Sequence, residues 1–328
     1  MKFPLLKKKF KKWFDSFMRN NIKNIDIQEN YLSKKDNLLE MILRDKTTSQ
    51  NILWATESYL SKGEQFAAHA QITTELVTGI YGSLIQPRAV KSKEEQLYRT
   101  REKAEVFTPL SLVKKMNNAC DAKRITKNNW QEYVALLKLE ITCGEAPYIV
   151  SRYDSVSEKQ ELLALSERVG FLDEKLRVIS KYCDTHKDWL KWSKIAFQSS
   201  YGYEWQGDSL LIARENLLYT FIDYYQEKFE KTPSLSLQKE IAEIIAWNVF
   251  QMDGLKYVIP MSCKNEKTII KGEQTLFGKV EDRMVEKPCA GCEKKTAANH
   301  NGVYVKIMDW VKGESIKFVD IVNKKNYA

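Results

Sequence analysis

Three cysteines and one histidine in the C-terminal part of the chain have the types and spacing of metal ligands. Cys289 and Cys292 form a Cys-x-x-Cys knuckle among polar residues and lysines, with Cys263 before it and His300 after it. Three thiolates and one imidazole complete the tetrahedral ligand set of a closed structural zinc site. The knuckle does not begin a βαβ unit, which disfavours a thioredoxin-type redox role. We therefore expect zinc at these four residues; the alternative is a set of unligated, reduced thiols.

A second group of residues forms a glycine-containing turn after an apolar run. The run Leu136–Thr142 is typical of a buried strand, and it leads directly into Cys143–Ala146. Gly144 and Ala146 carry little or no side chain, so the backbone of this turn can approach a bound ligand closely. Glu140, near the end of the strand, can bind a ligand's ammonium group through its carboxylate. A lone Gly-x-Ala is also common in ordinary turns.

Two acidic residues end the next predicted strands and could serve the same ligand. Glu204 ends the strand Ser200–Glu204, and an acid in this position accepts hydrogen bonds from ribose hydroxyls in dinucleotide-binding folds. Asp253 follows a strand from about Ile244 to Gln251, whose first residues could instead finish the preceding helix. Asp253 could accept a hydrogen bond from an exocyclic amine, or it could belong to an ordinary Asp-Gly surface turn.

The distance along the chain between the turn and Glu204 requires an insertion. Roughly 55 residues separate Glu145 from Tyr201, whereas about 20 usually separate a glycine turn from the ribose-binding acid. The helices that we predict over 157–195 would therefore be an insertion. The alternative is that Asp154 is the ribose-binding acid.

Four segments resemble motifs of the S-adenosylmethionine (SAM)-binding half of the N6-adenine DNA methyltransferases of restriction-modification systems, and they occur in the same order as those motifs. The segments are Ala104–Pro109, Leu139–Tyr148, Tyr201–Glu204 and Asn248–Leu255. The family's first motif is usually Asp-Pro-x-Cys-Gly-x-Gly-x-Phe; here Glu140 stands for the aspartate, Ala146 for the second glycine and Tyr148 for the phenylalanine. The resemblance implies SAM as a cofactor, with a set of binding residues that comprises Thr108, Glu140, Cys143, Gly144, Glu145, Ala146, Glu204 and Asp253.

Thr108 belongs to this set through the resemblance alone. In the family, the segment that matches Ala104–Pro109 folds back over SAM, and the threonine near its turn contacts the methionine moiety. The alternative is a helix start in which Thr108 is the N-cap and Pro109 is the first helical residue.

The family's catalytic Asn-Pro-Pro-Tyr/Phe tetrapeptide does not occur in this sequence, because no two of its seven prolines are adjacent. Ile316–Val322 lies about where the fourth strand and catalytic loop of the family would begin. The resemblance therefore implies one subunit of a split DNA adenine-N6 methyltransferase, without catalytic residues and inactive alone, in a restriction-modification or phage-defence system. A partner subunit would supply the Asn-Pro-Pro-aromatic loop and a strand beside Leu136–Thr142, which would otherwise be an exposed apolar edge. The substrate would be double-stranded DNA.

Two other functions stay open. A degenerate methyltransferase could act as a non-catalytic regulator that binds nucleic acid or protein through its zinc module and basic surface. An RNA methyltransferase is the second alternative, since the same catalytic loop serves amino groups in RNA.

Strands that alternate with helices predict βαβ units and a parallel sheet. The expected fold class is α/β, with a Rossmann-like SAM-dependent methyltransferase sheet, complete or incomplete. We predict a helical N-terminal region over 1–100, a SAM-binding domain over 101–258, and a zinc-knuckle and β-hairpin module over 259–328.

Several local patterns lie outside this sheet. Further helices are predicted over 35–85, with a break at Ser61–Glu64, and 86–103 is predicted as a polar connection that either follows a DNA backbone or forms a charged helix face. The C-terminal hairpin would join Gly302–Val311 to Ser315–Val322. An N-terminal apolar stripe at helical spacing predicts a helix docked by its aromatic face or an arm for DNA or a membrane surface; its residues are Leu6, Phe10, Trp13, Phe14 and Phe17.

The composition sets the class of protein and of partner. In 328 residues, 43% are hydrophobic and 29% are charged, which is typical of a globular chain and not of a disordered one. The net charge of +9 suits a polyanionic partner such as a nucleic acid. Lysines interrupt every apolar run near the N-terminus, so we predict no signal peptide and a cytoplasmic location.

Overall fold

The computed structural model describes most of the chain. The described residues are 37–103, 108–121, 125–154, 156, 161–271, 274–275, 278–279 and 283–323. The N-terminal apolar stripe and Ala104–Phe107 lie outside these ranges. No helix within the described ranges has both the length and the apolar character that crossing a bilayer requires.

Three parallel strands form the central sheet, in the order β1-β2-β3. They are β1 (Lys138–Glu140), β2 (Ser200–Glu204) and β3 (Val249–Gln251). Parallel neighbours need crossover connections, and helices supply both. The helices of the two crossovers are α5 (Phe171–Tyr182), α6 (His186–Gln198), α7 (Gly207–Phe229) and α8 (Leu235–Asn248). The predicted α/β class is confirmed. The observed β1 is shorter than predicted, and residues 244–248 finish α8 instead of beginning β3.

The N-terminal part packs into the same core as the helices of the crossovers. Its helices are α1 (Leu38–Leu43), α2 (Lys93–Lys103), α3 (Leu110–Cys120) and α4 (Trp130–Ala135). The helices predicted over 35–85 are largely wrong: after α1 the chain forms only short 3₁₀ turns, and Gly63 and Gly79 adopt positive φ angles of 127° and 60° between them. These turns still bury Trp54 and Phe66 in the common core.

The connection predicted over 86–103 contains a charged helix, α2, which a buried ion pair joins to the start of α7. Arg99 of α2 is buried and donates to Asp208 at the start of α7 over 2.6 Å. The hydroxyl of Tyr59 donates to the same carboxylate over 2.8 Å. Arg99 holds the pKa of Asp208 below its usual value although burial acts in the opposite direction.

The C-terminal part consists of ribbons, a short helix and a terminal helix. Its elements are β4 (Glu266–Ile270), β5 (Gln274–Thr275), β6 (Gly278–Lys279), β7 (Arg283–Lys287), α9 (Ala290–Lys294), β8 (Lys306–Asp309), β9 (Glu314–Lys317) and α10 (Phe318–Asn323). Strand β4 pairs antiparallel with β7, β5 with β6, and β8 with β9. The predicted hairpin exists, but its second strand ends at Lys317. Phe318 begins a helix there because its ring packs against Tyr203 and Phe250 of the central sheet.

Arg214 is a fully buried guanidinium that joins four elements of the core. It lies on α7, and its Nε donates to the carbonyl of Val249 over 2.7 Å, while Nη2 donates to Ala246 over 3.3 Å. Its Nη1 donates to the carbonyls of Ile42 and Arg44 over 2.6 and 3.0 Å. Burial lowers the pKa of Arg214 to about 10. The Arg214 guanidinium therefore donates hydrogen bonds to carbonyls in the last turns of α1 and α8. Carbonyls in this position have no partner within their own helix and interact favourably with a positive charge.

Replacing this guanidinium should destabilise the whole fold. Arg214→Met keeps much of the side-chain volume but leaves three buried carbonyls and one partly buried carbonyl without this donor, which should cost about 3–5 kcal/mol of unfolding free energy. Urea unfolding followed by circular dichroism measures it. Lys194→Met, which breaks an ion pair between Lys194 and Glu240 whose side chains are 37% and 51% exposed, is the control and should cost less than about 1 kcal/mol. Equal costs for the two variants would contradict this role of Arg214.

Candidate functional site

The carboxyl ends of the three parallel strands bring the predicted acidic residues to one edge of the sheet. Glu140 ends β1, Glu204 ends β2, and Asp253 lies two residues after β3. Oε2 of Glu204 accepts a hydrogen bond from the backbone N–H of Gly144 over 2.9 Å, so the turn after β1 touches the acid after β2. Ligands of open α/β sheets bind at this edge.

The turn after β1 adopts an unusual backbone conformation. Thr142, Gly144 and Ala146 have φ angles of 45°, 53° and 62°. Left-handed geometry is costly for a β-branched residue and for alanine, and such strain clusters at functional sites. A Cβ on Gly144 would meet no atom within 4 Å, so space lies over the backbone there. The turn therefore offers an open, close approach to its backbone.

Glu140 stabilises this turn through hydrogen bonds to the backbone that follows it. Its two carboxylate oxygens accept hydrogen bonds from the backbone N–H groups of Tyr148 and Ile149, over 3.3 and 3.0 Å. Burial raises the pKa of Glu140 to about 8, and the nearby charge of Glu204 acts in the same direction. In the structure, the Glu140 carboxylate therefore accepts hydrogen bonds from backbone N–H groups of its own chain. The sequence predicted that it would bind the ammonium group of a ligand instead.

Cys143 and Glu145 point into the protein. The Cys143 thiol is buried, which raises its pKa well above the usual value, and its N–H donates to Tyr203 over 2.8 Å. The Glu145 carboxylate accepts from the backbone N–H of Arg88 over 2.7 Å and from the Tyr153 hydroxyl over 2.8 Å. Glu145 therefore ties the loop before α2 to the turn.

The contacts of three further predicted residues, Asp253, Thr108 and Asp154, are as follows. Asp253 accepts at Oδ1 from the N–H groups of Leu255 and Lys256, over 3.0 and 3.2 Å, which is the geometry of an Asx turn. Thr108 precedes α3, whose N-cap is Pro109 and whose first residue is Leu110, so the predicted helix start is wrong by one residue. Asp154 accepts from the N–H of Val156 and does not end a strand of the central sheet.

Trp205 is a site residue that sequence reasoning missed. It follows Glu204 directly, and its indole Nε1 donates to the carbonyl of Ala55 over 2.9 Å. The neighbouring Leu53 exchanges two 2.8 Å hydrogen bonds with the side-chain amide of Gln251 at the end of β3. The segment around 53–55 thus crosses the ends of β2 and β3. A tryptophan directly after the acid was the available signal, because an indole face can stack on a heteroaromatic ring.

The four predicted metal ligands come together in the C-terminal part. The sulfur atoms of Cys263, Cys289 and Cys292 each lie 3.6 Å from Nδ1 of His300, and all four ligand atoms lie within 4.8 Å of one another. A tetrahedral zinc ion with bonds of about 2.3 Å to sulfur and about 2.1 Å to nitrogen separates the sulfur atom from the nitrogen atom by about 3.6 Å. The arrangement therefore has the dimensions of a Cys3His zinc site.

Groups around these four residues favour the protonation states that bind a metal ion. Nε2 of His300 lies 2.6 Å from the carbonyl of Thr296, and a proton donated there leaves Nδ1 free to bind a cation. Desolvation opposes ionisation of Cys289, but backbone hydrogen bonds from Asn301 and Cys292 lower its pKa to about 6. A Cβ on Gly291 would lie 2.7 Å from the His300 ring, so only glycine fits inside the knuckle.

Metal content tests this centre directly. Protein purified without added zinc should hold about one zinc ion per chain, measured by mass spectrometry of the metal. Cys292→Ser should lose most of it, whereas Cys120→Ser, at an exposed thiol elsewhere, should keep it. A native chain without metal, in which Cys263 and Cys292 react with a thiol reagent as readily as the exposed Cys120, would contradict the site.

The buried acid of the turn should make stability depend on pH. Folding raises the pKa of Glu140 from 4.5 to about 8, so this group favours the folded state at low pH and loses that contribution as the pH rises through about 8. Glu140→Gln cannot ionise, and its unfolding free energy should therefore fall less steeply between pH 5 and 8 than that of the unaltered chain. Urea unfolding at several pH values measures both slopes, and equal slopes would show that Glu140 is not the group responsible.

Comparisons with protein-family models, with curated proteins and with solved structures found no match for this chain. What is shown about the site therefore comes from the structure itself. It consists of an α/β fold with a three-stranded parallel sheet and of a Cys3His group that could hold a metal ion.

Proposed function

We propose that this chain is the SAM-binding subunit of a split adenine-N6 DNA methyltransferase. The observation that carries the proposal is the left-handed turn at Thr142–Ala146, whose open backbone contacts the acid that ends the next parallel strand, Glu204. A nucleoside with an attached amino acid needs such a pair: a carboxylate for ribose hydroxyls and a backbone that the amino-acid part can approach. The sheet would then be the first part of a Rossmann-like methyltransferase fold.

The hydrogen bonds of Glu204 are compatible with a ribose. Its oxygens accept from the N–H groups of Gly144 and Gln206, over 2.9 and 3.1 Å. An ionised carboxylate has about four acceptor positions, so two hydroxyl donors can be added without breaking these bonds. Burial raises the pKa of Glu204, and hydroxyl donors would favour its ionised form.

Other residues would hold the rest of the cofactor. The indole of Trp205 would stack on the adenine ring, and Asp253 would accept from the adenine amine in place of one of its present N–H donors. Glu140 would keep the turn in its left-handed conformation from below. SAM would supply the methyl group that is transferred from its sulfonium to the amino nitrogen of a DNA adenine.

The reaction also needs groups that residues 1–328 do not include. No two prolines of the sequence are adjacent, so we propose that a second polypeptide supplies the Asn-Pro-Pro-aromatic loop. The positive net charge of +9 would favour association with DNA, whose phosphates release counterions on binding. The zinc group would stiffen the C-terminal part, which packs on the central sheet through Phe318.

A non-catalytic regulator with a degenerate site is the second candidate. The observation that favours it is the internal use of the carboxylates: Glu140 and Glu145 both accept from backbone N–H groups of this chain. A site that had lost its ligand could keep such bonds for stability alone. Affinity for SAM separates the two candidates, because a degenerate site should not bind it.

Calorimetric titration of the isolated chain with SAM tests the proposal. Glu204→Ala and Asp253→Ala should each weaken binding about 10- to 150-fold, since each removes a charge-assisted hydrogen bond worth about 1.5–3 kcal/mol. Asp154→Ala is the matched control, because Asp154 does not end a strand of the central sheet, and the affinity of this variant for SAM should not change.

Several outcomes would overturn the proposal. Absence of SAM binding by the folded chain would favour the regulator, and a loss confined to Asp154→Ala would move the ribose site away from Glu204. Circular dichroism of each variant checks that the fold is retained. Methyl transfer to adenine-containing DNA by the pure chain alone would contradict the split enzyme.

A further inference from the structure

A short segment of the chain, 253–263, joins the candidate ligand site to the metal group. It begins at Asp253, two residues after β3, and ends at Cys263, the first of the four metal ligands. Two of its residues, Tyr257 and Met261, have left-handed φ angles of 57° and 58°. Such a backbone persists only where surrounding contacts hold it. We call 253–263 the joining segment.

The start of the joining segment is fixed against the central sheet. The N–H of Asp253 donates to the carbonyl of Val258 over 2.8 Å, and the N–H of Tyr257 donates to the carbonyl of Asp253 over 2.7 Å. A Cβ on Gly254 would lie 2.8 Å from the ring of Tyr203, so the backbone packs directly on a side chain of β2. The Asx turn of Asp253 is therefore part of a loop that these bonds close on the sheet.

The second half of the joining segment pairs with the residues just before β8. The N–H of Ile259 donates to the carbonyl of Val303 over 2.8 Å, and the bridge next to this bond is antiparallel. Cys263 follows one side of the pair and His300 precedes the other. A metal ion bound by both residues would therefore close the open end of the pair.

Ser262 strengthens this pair directly beside the metal ligand Cys263. Its hydroxyl donates to the carbonyl of Ile259 over 2.7 Å and accepts from the N–H of Val303 over 3.0 Å. A Cβ on Gly302 would lie 2.7 Å from this hydroxyl and 3.0 Å from the sulfur of Cys263, so the two backbones are in close contact. A displacement of the ligand sulfur would therefore disturb Ser262 and its two bonds.

Lys256 is a second link between the two sites. Its ammonium lies 3.4 Å from Oδ2 of Asp253, and its charge also interacts with Cys292 and Cys263 of the metal group. The Lys256 side chain is 37% exposed, so solvent screens these attractions. The backbone bonds and the packing of the joining segment therefore carry most of the link.

We infer that a metal ion in the Cys3His group positions the Asp253 turn, so that metal binding and ligand binding at the edge of the sheet strengthen each other. Without the metal ion, only backbone bonds and packing oppose relaxation of the two left-handed residues. With it, Cys263 and His300 are fixed, and the joining segment keeps its geometry. That the ligand is SAM rests on the proposed function, whereas the effect of the metal ion on the Asp253 turn does not.

Packing by Phe318 is the competing explanation for the geometry of the joining segment. Its ring lies 5.5 Å from that of Tyr257, and its N–H donates to the carbonyl of Val305 over 2.9 Å. These contacts act on the middle of the joining segment, whereas the metal ligand Cys263 acts on its end. The two explanations differ in one result: if Phe318 suffices, removal of the metal ion leaves the Asp253 turn unchanged.

Hydrogen–deuterium exchange of the full chain, with zinc bound and after its removal by a chelator, tests the inference without SAM. The reporters are the amides of Asp253 and Tyr257, whose hydrogen bonds close the turn. Removal of zinc should speed their exchange about tenfold or more, whereas the amides of β2 should exchange at unchanged rates. Unchanged exchange at Asp253 and Tyr257 would overturn the inference, because Phe318 would then suffice.

The variant Ser262→Ala tests the link with the metal ion in place, because it keeps all four ligands and loses only the two hydroxyl bonds. Ser193→Ala is the matched control, since it removes a buried hydroxyl that has no hydrogen-bond partner among the described residues. With zinc bound, Ser262→Ala should speed exchange at Asp253 and Tyr257 about fivefold, and Ser193→Ala should not. Equal exchange in the two variants would contradict the link. This comparison decides the question even if removal of zinc unfolds the whole chain, which faster exchange in β2 would reveal.

Calorimetry with SAM measures the coupling itself. The zinc-loaded chain should bind SAM about 5- to 150-fold more tightly than the stripped chain, and SAM should raise the affinity for zinc by the same factor, measured by competition with a chromophoric chelator. In the loaded chain the metal group is already ordered, so SAM should leave amide exchange within it unchanged. Equal SAM affinities of the loaded and stripped chains would contradict the coupling. Absence of SAM binding by both would refute the proposed function, and the exchange rates at Asp253 and Tyr257 would still decide whether the metal ion positions this turn.

Discussion

The hydrogen bond between the N–H of Gly144 and the carboxylate of Glu204 joins the ends of the first two strands. It forms only if β1 and β2 are parallel and in register, so that both ends reach one edge of the sheet. It also requires the chain to leave β1 through left-handed residues, because an ordinary turn would carry the N–H of Gly144 elsewhere. The buried bonds of Glu140 to Tyr148 and Ile149 hold that conformation. The candidate cofactor site is therefore a consequence of strand order together with one strained turn.

The metal group is a second unit of the same chain. Its ligands come from the residues just before β4 and just after β7 and from the loop before β8, so a metal ion there would join the two strands at the end where Glu266 pairs with Lys287. An isolated two-stranded ribbon is marginally stable in water, and Ile269 and Met284, opposite each other in it, are 60% and 65% exposed. A metal ion at its base would offset this weakness. The C-terminal part then presents a stable surface to the central sheet through Phe318.

Much of this arrangement could be predicted from the sequence, and the successes share a physical basis. The bounds of β2 were predicted to the residue, because a short run rich in tyrosine ends at an acid and a helix start. The Cys3His group that could hold a metal ion was predicted because thiols and an imidazole at this spacing have few other uses. The α/β class followed from the alternation of strands with helices. Each prediction depended on local chemistry that tertiary contacts did not override.

The missed features all depend on contacts between distant parts of the chain. Residues 52–55 are not helical: Leu53 and Ala55 bond to Gln251 and Trp205, and Trp54 and Ala55 bond to Ala70 and Ala68 further along the chain. Phe318 begins a helix because Tyr203 and Phe250, far away in sequence, offer it a packing surface. Strands β4 and β7 pair although β5 and β6 lie between them in the chain, and no local pattern indicates this register. The inward direction of the Glu145 carboxylate depends on Tyr153 and Arg88, which sequence spacing could not place beside it.

The central claim is that the turn after β1 and the end of β2 form one ligand site, and hydrogen–deuterium exchange with and without SAM tests it most directly. The account predicts slower exchange of the backbone amides at 142–146 and at 205–206 when SAM is present, with unchanged exchange in the metal group at 289–300. Unchanged exchange at the turn under saturating SAM, or protection confined to the metal group, would contradict it.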